Sequence, residues 1–259
     1  MEIIDTHAHL DMLDNPEAAL ERAWTVGVVQ VMTIGVDLAS SRRAAALAGE
    51  HEGVFYTVGL HPHDAAQANE ALWTETEALA KAGARAIGEC GLDFFRDLSP
   101  RTAQREAFAR QIDLARRLKL PLVIHDRDAH AETVAMLKEH RADEMGGVFH
   151  CFSGDLGLAK QALDLGFMLG ITGTITYPKN EALRALVREV PRSSLVIETD
   201  CPYLTPAPYR GKKNEPAFVA FTNAGLAQAL GIDPAECAAL TTANARRLYG
   251  LPVPGACHV

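Results

Sequence analysis

Two histidines spaced i, i+2, His7 and His9, are the first residues whose pattern suggests chemistry. On an extended segment that spacing turns both imidazoles to one side, where they can chelate a single ion. A second such pair, His61 and His63, follows, and Glu89, His125, His150 and Asp200 stand singly. Imidazoles and carboxylates in combination are the donor set of a divalent-cation site. A lone histidine of this kind is more often a satisfied hydrogen-bond partner, and a lone glutamate more often caps a loop. A whole set of them is harder to explain that way, because an unpaired carboxylate in an apolar interior is costly unless it meets a cation.

These residues share a position: each stands at the end of a short β-like run. The runs, rich in Val, Ile and Phe, are Glu2–Thr6, Val28–Ile34, Val54–Val58, Ala84–Gly88, Leu122–Ile124, Val148–Phe149, Phe167–Ile171 and Leu195–Thr199. His7 and His9 follow the first run, and His61 and His63 the third. Glu89 ends the fourth, His125 the fifth, His150 the sixth and Asp200 the eighth. Helical periodicity fills the intervals. Its clearest case follows Ser99-Pro100, with Ser suited to the N-cap and Pro to the first helical position. There Phe108, Ile112, Ala115 and Leu118 make one apolar stripe, and Lys119 closes the helix.

Eight strands alternating with helices predict an α/β fold, a (β/α)8 TIM barrel with its active site at the C-terminal ends of the strands. A doubly wound open sheet would usually carry a glycine-rich phosphate loop after its first strand, where this chain has His-Ala-His. No repeat or linker marks a second domain, so residues 1–259 are expected to form a single barrel. Pro202 to Pro216 reads as a long loop after strand eight, and the tail after Leu251 as surface coil.

Composition narrows the class further. With 48% hydrophobic residues in 259, wholesale disorder is excluded. Five cysteines without a CxxC do not make a disulfide scaffold. Cys90, Cys151 and Cys201 each follow a candidate ligand, and strand alternation should turn them away from it as buried, reduced thiols. The longest uncharged run, Pro216 to Ile232, is too short and too polar for a membrane span. Glu2 and Asp5 stand where a signal peptide would be basic, so a cytoplasmic protein is expected, and a monomer without an obligate protein partner. The net charge of −8 argues against a protein that coats duplex DNA.

The motifs DTHAHLD (5–11), GLHPH (59–63), IGECGLDF (87–94), IHDRDA (124–129), HCFSG (150–154), ETDCPYLTP (198–206) and RGKKNEP (210–216) resemble, in order, the signature blocks of the TatD-type metal-dependent deoxyribonucleases. That family is a branch of the amidohydrolase-like barrels. The resemblance implies two divalent cations per chain. His7, His9 and Asp200 would hold one, His125 and His150 the other, and Glu89 would bridge both. Many amidohydrolase relatives have a carbamylated Lys in the Glu89 position, and a Glu there fits the TatD branch. His61, His63 and Arg210, with Lys212 and Lys213 nearby, would lie near substrate phosphate. Phe94 stands where many relatives have Tyr, a departure that bears on a substrate contact. The implied activity is phosphodiester hydrolysis of DNA, with 3′ to 5′ exonuclease polarity.

Elementary chemistry supports the same reading. Two cations roughly 3.5–4 Å apart can hold a bridging hydroxide and brace both oxygens of an in-line displacement at phosphorus. Mg, Mn and Zn all suit such a mixed donor set. Asp200 is the general-base candidate, acting beside the bridging Glu89. Arg127, Arg210 and Lys213 could orient phosphate oxygens. A barrel mouth admits a single strand or an end more easily than a continuous duplex. The same hydroxide also attacks carbonyls, which keeps an amidohydrolase, lactonase or aminoacyl-ester deacylase as the alternative, favoured by a closed apolar mouth. A non-catalytic, metal-stabilised binding protein would need a cation site without an exchangeable water.

Overall fold

The computed structural model describes residues 1–253. The tail read as coil therefore lies, from residue 254 onward, outside the described residues. Eight strands form one sheet in chain order: β1 (Ile3–Ala8), β2 (Val28–Thr33), β3 (Val54–Val58), β4 (Ala86–Asp93), β5 (Leu122–Arg127), β6 (Gly147–Phe149), β7 (Phe167–Ile171) and β8 (Leu195–Ile197). Every neighbouring pair is parallel. The helices between them are α1 (Pro16–Thr25), α2 (Leu38–Glu50), α3 (Glu70–Lys81), α4 (Arg101–Leu118), α5 (His130–Glu139), α6 (Leu156–Asp164) and α7 (Glu181–Glu189). After β8 come α8 (Val219–Leu230) and α9 (Pro234–Tyr249). This is the (β/α)8 TIM barrel the alternation of runs predicts.

Strand alternation divides the apolar residues into two cores. Ile4, Met32, Ala86, Val123, Val148 and Val196 pack together with Tyr249 and Leu251, so the end of α9 joins the cluster that fills the barrel. Their immediate neighbours Ile3, Val31, Ile87, Leu122, Phe149 and Leu195 belong to the larger cluster under the helices, with Phe108 and Ile112 of α4.

The circle closes between the first and last strands through side chains as much as through ladder bonds. Asp200 N–H donates to the His7 carbonyl at 2.8 Å, and His9 N–H to the Cys201 carbonyl at 2.9 Å. Below them the buried Asp5 carboxylate accepts from Thr199 N–H at 2.9 Å and from the Thr199 hydroxyl at 2.6 Å. Burial pushes the Asp5 carboxyl up to about 8, against the pull of those bonds.

Two local expectations need correction. Helix α4 begins one residue later than the Ser-Pro pair suggests, with Pro100 at the N-cap and no side-chain cap. The Ser99 hydroxyl is used elsewhere: it donates to the His63 carbonyl at 2.7 Å and accepts from Ala66 N–H at 3.1 Å. Strands β1, β4 and β5 run on past their expected ends, so His7, Glu89 and His125 lie within strands. The β4–β5 ladder accounts for two of these, since it continues through Gly91–His125 to Asp93–Arg127.

Candidate metal centre

The C-terminal ends of β1 and β8, together with β4, bring four donor atoms together. His7 Nε2 and His9 Nε2 are 3.4 Å apart. Glu89 Oε2 lies 3.5 and 3.9 Å from them, and Asp200 Oδ1 lies 3.8 and 3.4 Å away. Two imidazole nitrogens this close can share at most one proton in a long contact, whereas a cation takes a lone pair from each. The spacings also match the edges of a tetrahedral site, which are about 3.4 Å for bonds of about 2.1 Å. The chemistry of the donor set thus fits a divalent metal.

The other oxygen of Glu89 faces a second group. Glu89 Oε1 is 2.8 Å from His125 Nδ1, 3.5 Å from His150 Nε2 and 3.6 Å from His61 Nε2. One carboxylate therefore stands between two sets of imidazoles. Local backbone structure puts it there. The β4–β5 register shifts between Ile87 and Cys90, a bulge that re-aims the intervening side chain. Gly88 within that shift has φ +147°, and a Cβ on it would come 2.5 Å from the Val123 carbonyl, so glycine lets β4 press against β5 at Glu89.

Two carboxylates that the sequence reading passed over orient this second group. Asp93 Oδ2 accepts from His63 Nε2 at 2.9 Å and His125 Nε2 at 3.0 Å, while Oδ1 accepts from the Phe95 and Arg96 N–H groups at 3.0 and 2.7 Å. Glu198 Oε1 accepts from His150 Nδ1 at 3.0 Å and Cys151 N–H at 2.6 Å. Glu198 reaches His150 across β7, where Gly170 has no side chain: a Cβ there would lie 2.6 Å from Glu198 Oε2. Both are carboxylate–histidine pairs of the kind that fix the tautomer of a metal ligand. A signal for Asp93 was present, since residues 89, 91 and 93 alternate onto one face of β4. His7 and His9 differ, because neither Nδ1 has a hydrogen-bond partner.

Charge in the cluster is set by burial working against close ion pairing. Burial opposes ionisation of Glu89, but His150, His61 and His125 outweigh it and hold the carboxyl well below its usual range. Asp200 is likewise lowered, its burial overcome by His9, His150 and His7. Burial disfavours charge on His125 and His150, yet their carboxylate partners raise them to about 9 and about 10. Burial takes His61 the other way, down to about 4, despite Glu89. Protons on His125 and His150 thus supply part of the positive charge that cations would bring, and His9 is raised too, its burial outweighed by Asp200.

The residues expected near substrate phosphate are distributed around this centre. His61 is buried beside Glu89, and His63 is held by Asp93. The Arg127 guanidinium lies 4.2 Å over the Phe95 ring, and that of Arg210 lies 4.3 Å over Tyr177. Lys213 Nζ is 2.6 Å from the Asp14 carboxylate in an exposed pair. Lys212 stands over Tyr209, and the half-buried Phe94 lies under Arg101. The Cys90 thiol contacts the Val123 carbonyl at 3.6 Å and Cys151 contacts Thr172 at 4.0 Å. Among the described residues, neither these two nor Cys201 joins a potential cation cluster.

Comparison with known proteins agrees with this architecture. A family model described as TatD related DNase matches residues 4–250. The chain is 38% identical over 252 residues to the uncharacterized metal-dependent hydrolase YabD of Bacillus subtilis, covering 95% of this chain and 98% of that protein. It is 41% identical over 236 residues to the 3′-5′ ssDNA/RNA exonuclease TatD of Cronobacter sakazakii, covering 89% and 90% of the two. The crystal structure of YjjV, a TatD homolog from Escherichia coli K12, superposes with a TM-score of 0.91 at 31% identity, over 96% of this chain and 98% of that one.

Proposed function

The chain belongs to the TatD-related DNase family, and from that premise we propose that it is a two-cation phosphodiesterase that trims single-stranded DNA from the 3′ end. That it is a metal-dependent hydrolase follows from the family itself. The observation that carries the finer reading is the placement of Glu89, with Oε2 at 3.5 Å from His7 and Oε1 at 2.8 Å from His125. One carboxylate shared by two imidazole groups is what a pair of neighbouring cations requires. His7, His9 and Asp200 would hold one cation, His125 and His150 the other, and Glu89 both. Bound divalent cations supply water activation and charge neutralisation at phosphorus.

The chain's own groups do the rest. Asp200 faces His9 with Oδ1 at 3.4 Å in the first donor group, and its second carboxylate oxygen would take a proton from water as general base. His61 stands beside the second group, where its imidazole, kept neutral by burial, can donate from Nε2 to a phosphate oxygen, and His63 lies next to it with its Nε2 held by Asp93. Arg127 and Arg210 have no carboxylate within ion-pair distance among the described residues, and their charge is available to phosphate.

The test is a 5′-labelled single-stranded oligonucleotide incubated with chelated protein and then with Mg, Mn or Zn restored. RNA, a small amide and a lactone are run beside it. The expected result is metal-dependent shortening from the 3′ end. No cleavage of any nucleic acid, with turnover of the amide or lactone, would overturn the proposal. Among the described residues no helix is long and apolar enough to cross a membrane.

A further inference from the structure

Four of the seven large apolar side chains exposed among the described residues lie on loops at the cation-binding end of the barrel. Met12 follows β1, Phe95 and Leu98 follow β4, and Tyr203 follows β8; Phe95 is 58% exposed and Tyr203 is 54% exposed. By contrast, Met1 and Val26 precede strands, at the opposite end. Of the four, two lie on the β4 side of the candidate centre and two beside the β1–β8 seam. The chemistry at the centre uses none of these side chains.

Two of them are fixed to the metal-ligand set by short backbone links. Phe95 N–H donates to Asp93 Oδ1 at 3.0 Å, and the other oxygen of that carboxylate holds His63 and His125. Tyr203 N–H donates to the Asp200 carbonyl at 2.9 Å, and its own carbonyl accepts from Asn214 Nδ2 at 2.6 Å. Its ring centroid is 6.3 Å from that of His9. Each side chain has a further contact. The Arg127 guanidinium lies 4.2 Å over Phe95, and the Tyr203 hydroxyl reaches Met12 Sδ at 3.6 Å. Rings held this way lose little freedom when something stacks on them.

We propose that Phe95 and Tyr203 are stacking platforms for the bases of single-stranded nucleic acid, one tied to each half of the cation-binding set. The proposal rests on the nuclease reading of the same centre. Every nucleobase has a π-face, so stacking gives affinity without sequence preference, and Arg127 adds a cation behind one ring and a positive charge near the backbone. Stacking demands unpaired bases. The platforms thus select a single strand over a duplex by a means separate from the width of the mouth.

The experiment compares a fluorescein-labelled thymidine octamer with the same octamer carrying abasic tetrahydrofuran residues at its 3′ end. Both are measured by turnover with Mn restored and, in parallel, by anisotropy titration with Ca. For the unsubstituted protein the normal strand should be favoured roughly five- to hundredfold per stacked base, mostly in KM and in binding. In Phe95→Ala and Tyr203→Ala that preference should collapse towards unity. Phe95→Tyr and Tyr203→Phe should restore it, which a merely structural role would not predict. An undiminished preference in both alanine variants, or equal affinity of the unsubstituted protein for the two octamers, would overturn the platforms. Platform-dependent binding without turnover would leave them standing and refute the nuclease reading instead.

Discussion

Replacing Asp93 by Asn should weaken one cation site while leaving the barrel folded. The carboxylate side chain is 1% exposed and accepts four hydrogen bonds, two from ring nitrogens and two from backbone. Asn can keep its oxygen on the Phe95 and Arg96 N–H groups, which leaves its NH2 facing His63 Nε2 and His125 Nε2. Those nitrogens must then accept, so the His125 proton moves to Nδ1. That is the atom 2.8 Å from Glu89 Oε1, where a lone pair is needed for a cation. Loss of such an orienting carboxylate costs about 10- to 100-fold in metal affinity, or about 1.4–2.8 kcal/mol. Stability should fall by only about 2 kcal/mol, because hydrogen bonds to a charged acceptor become neutral ones. Competition against a chromophoric chelator measures the first quantity, and thermal unfolding in EDTA the second. If the variant binds both cations within twofold of the unsubstituted protein, Asp93 does not set the tautomer and the argument fails.

Asp200→Asn should lower turnover at least about a hundredfold with an unchanged circular dichroism spectrum, and near-normal turnover would remove Asp200 as general base. Gly170→Ala should destabilise by about 1–3 kcal/mol and loosen the His150 site, because the new Cβ meets the Glu198 carboxylate; chemical denaturation with a metal titration checks it. The metal-free protein should lose stability as pH rises from 7 to 10. His125 and His150, raised from 6.5 to about 9 and about 10, hold extra protons in the folded state; their contribution is complete below about 6.5 and lost as pH climbs through those values. Asp5, at about 8, acts in the same direction. Cations displace the two histidine protons, so thermal scans with and without chelator should show the slope above about pH 8 only in the metal-free protein, while the Asp5 part below it is common to both.

The chain's order of residues reveals the barrel because strands and helices alternate with distinct periods, and it reveals the donors because His and Glu fall where apolar runs stop. What it hides is contact across strands. Glu198 holds His150 over the gap left by Gly170, and nothing local to either residue indicates that reach. Asp93 is one of 33 acidic residues, and its importance lies in four partners, two of them from β3 and β5 neighbourhoods far from it in sequence. Strand lengths are equally non-local. β5 continues to Arg127 only because β4 offers it a partner, while β6 stops at Phe149. Ser99 has the right residue type for a cap, but the tertiary position of the His63 loop claimed its hydroxyl.

The closing seam has a consequence for how the enzyme is made. Asp5 meets Thr199 across 194 positions of chain, and His9 meets Asp200 on the same seam. During synthesis, five of the six candidate donors are already present while the last strand is still to come, and a cation bound beside His7 and His9 then would have an incomplete set. Ring closure over so long a loop is slow and entropically costly, so it comes late in folding. Hydrolytic competence therefore emerges only once the final strand docks, and a chain that stops short of β8 remains without hydrolase activity.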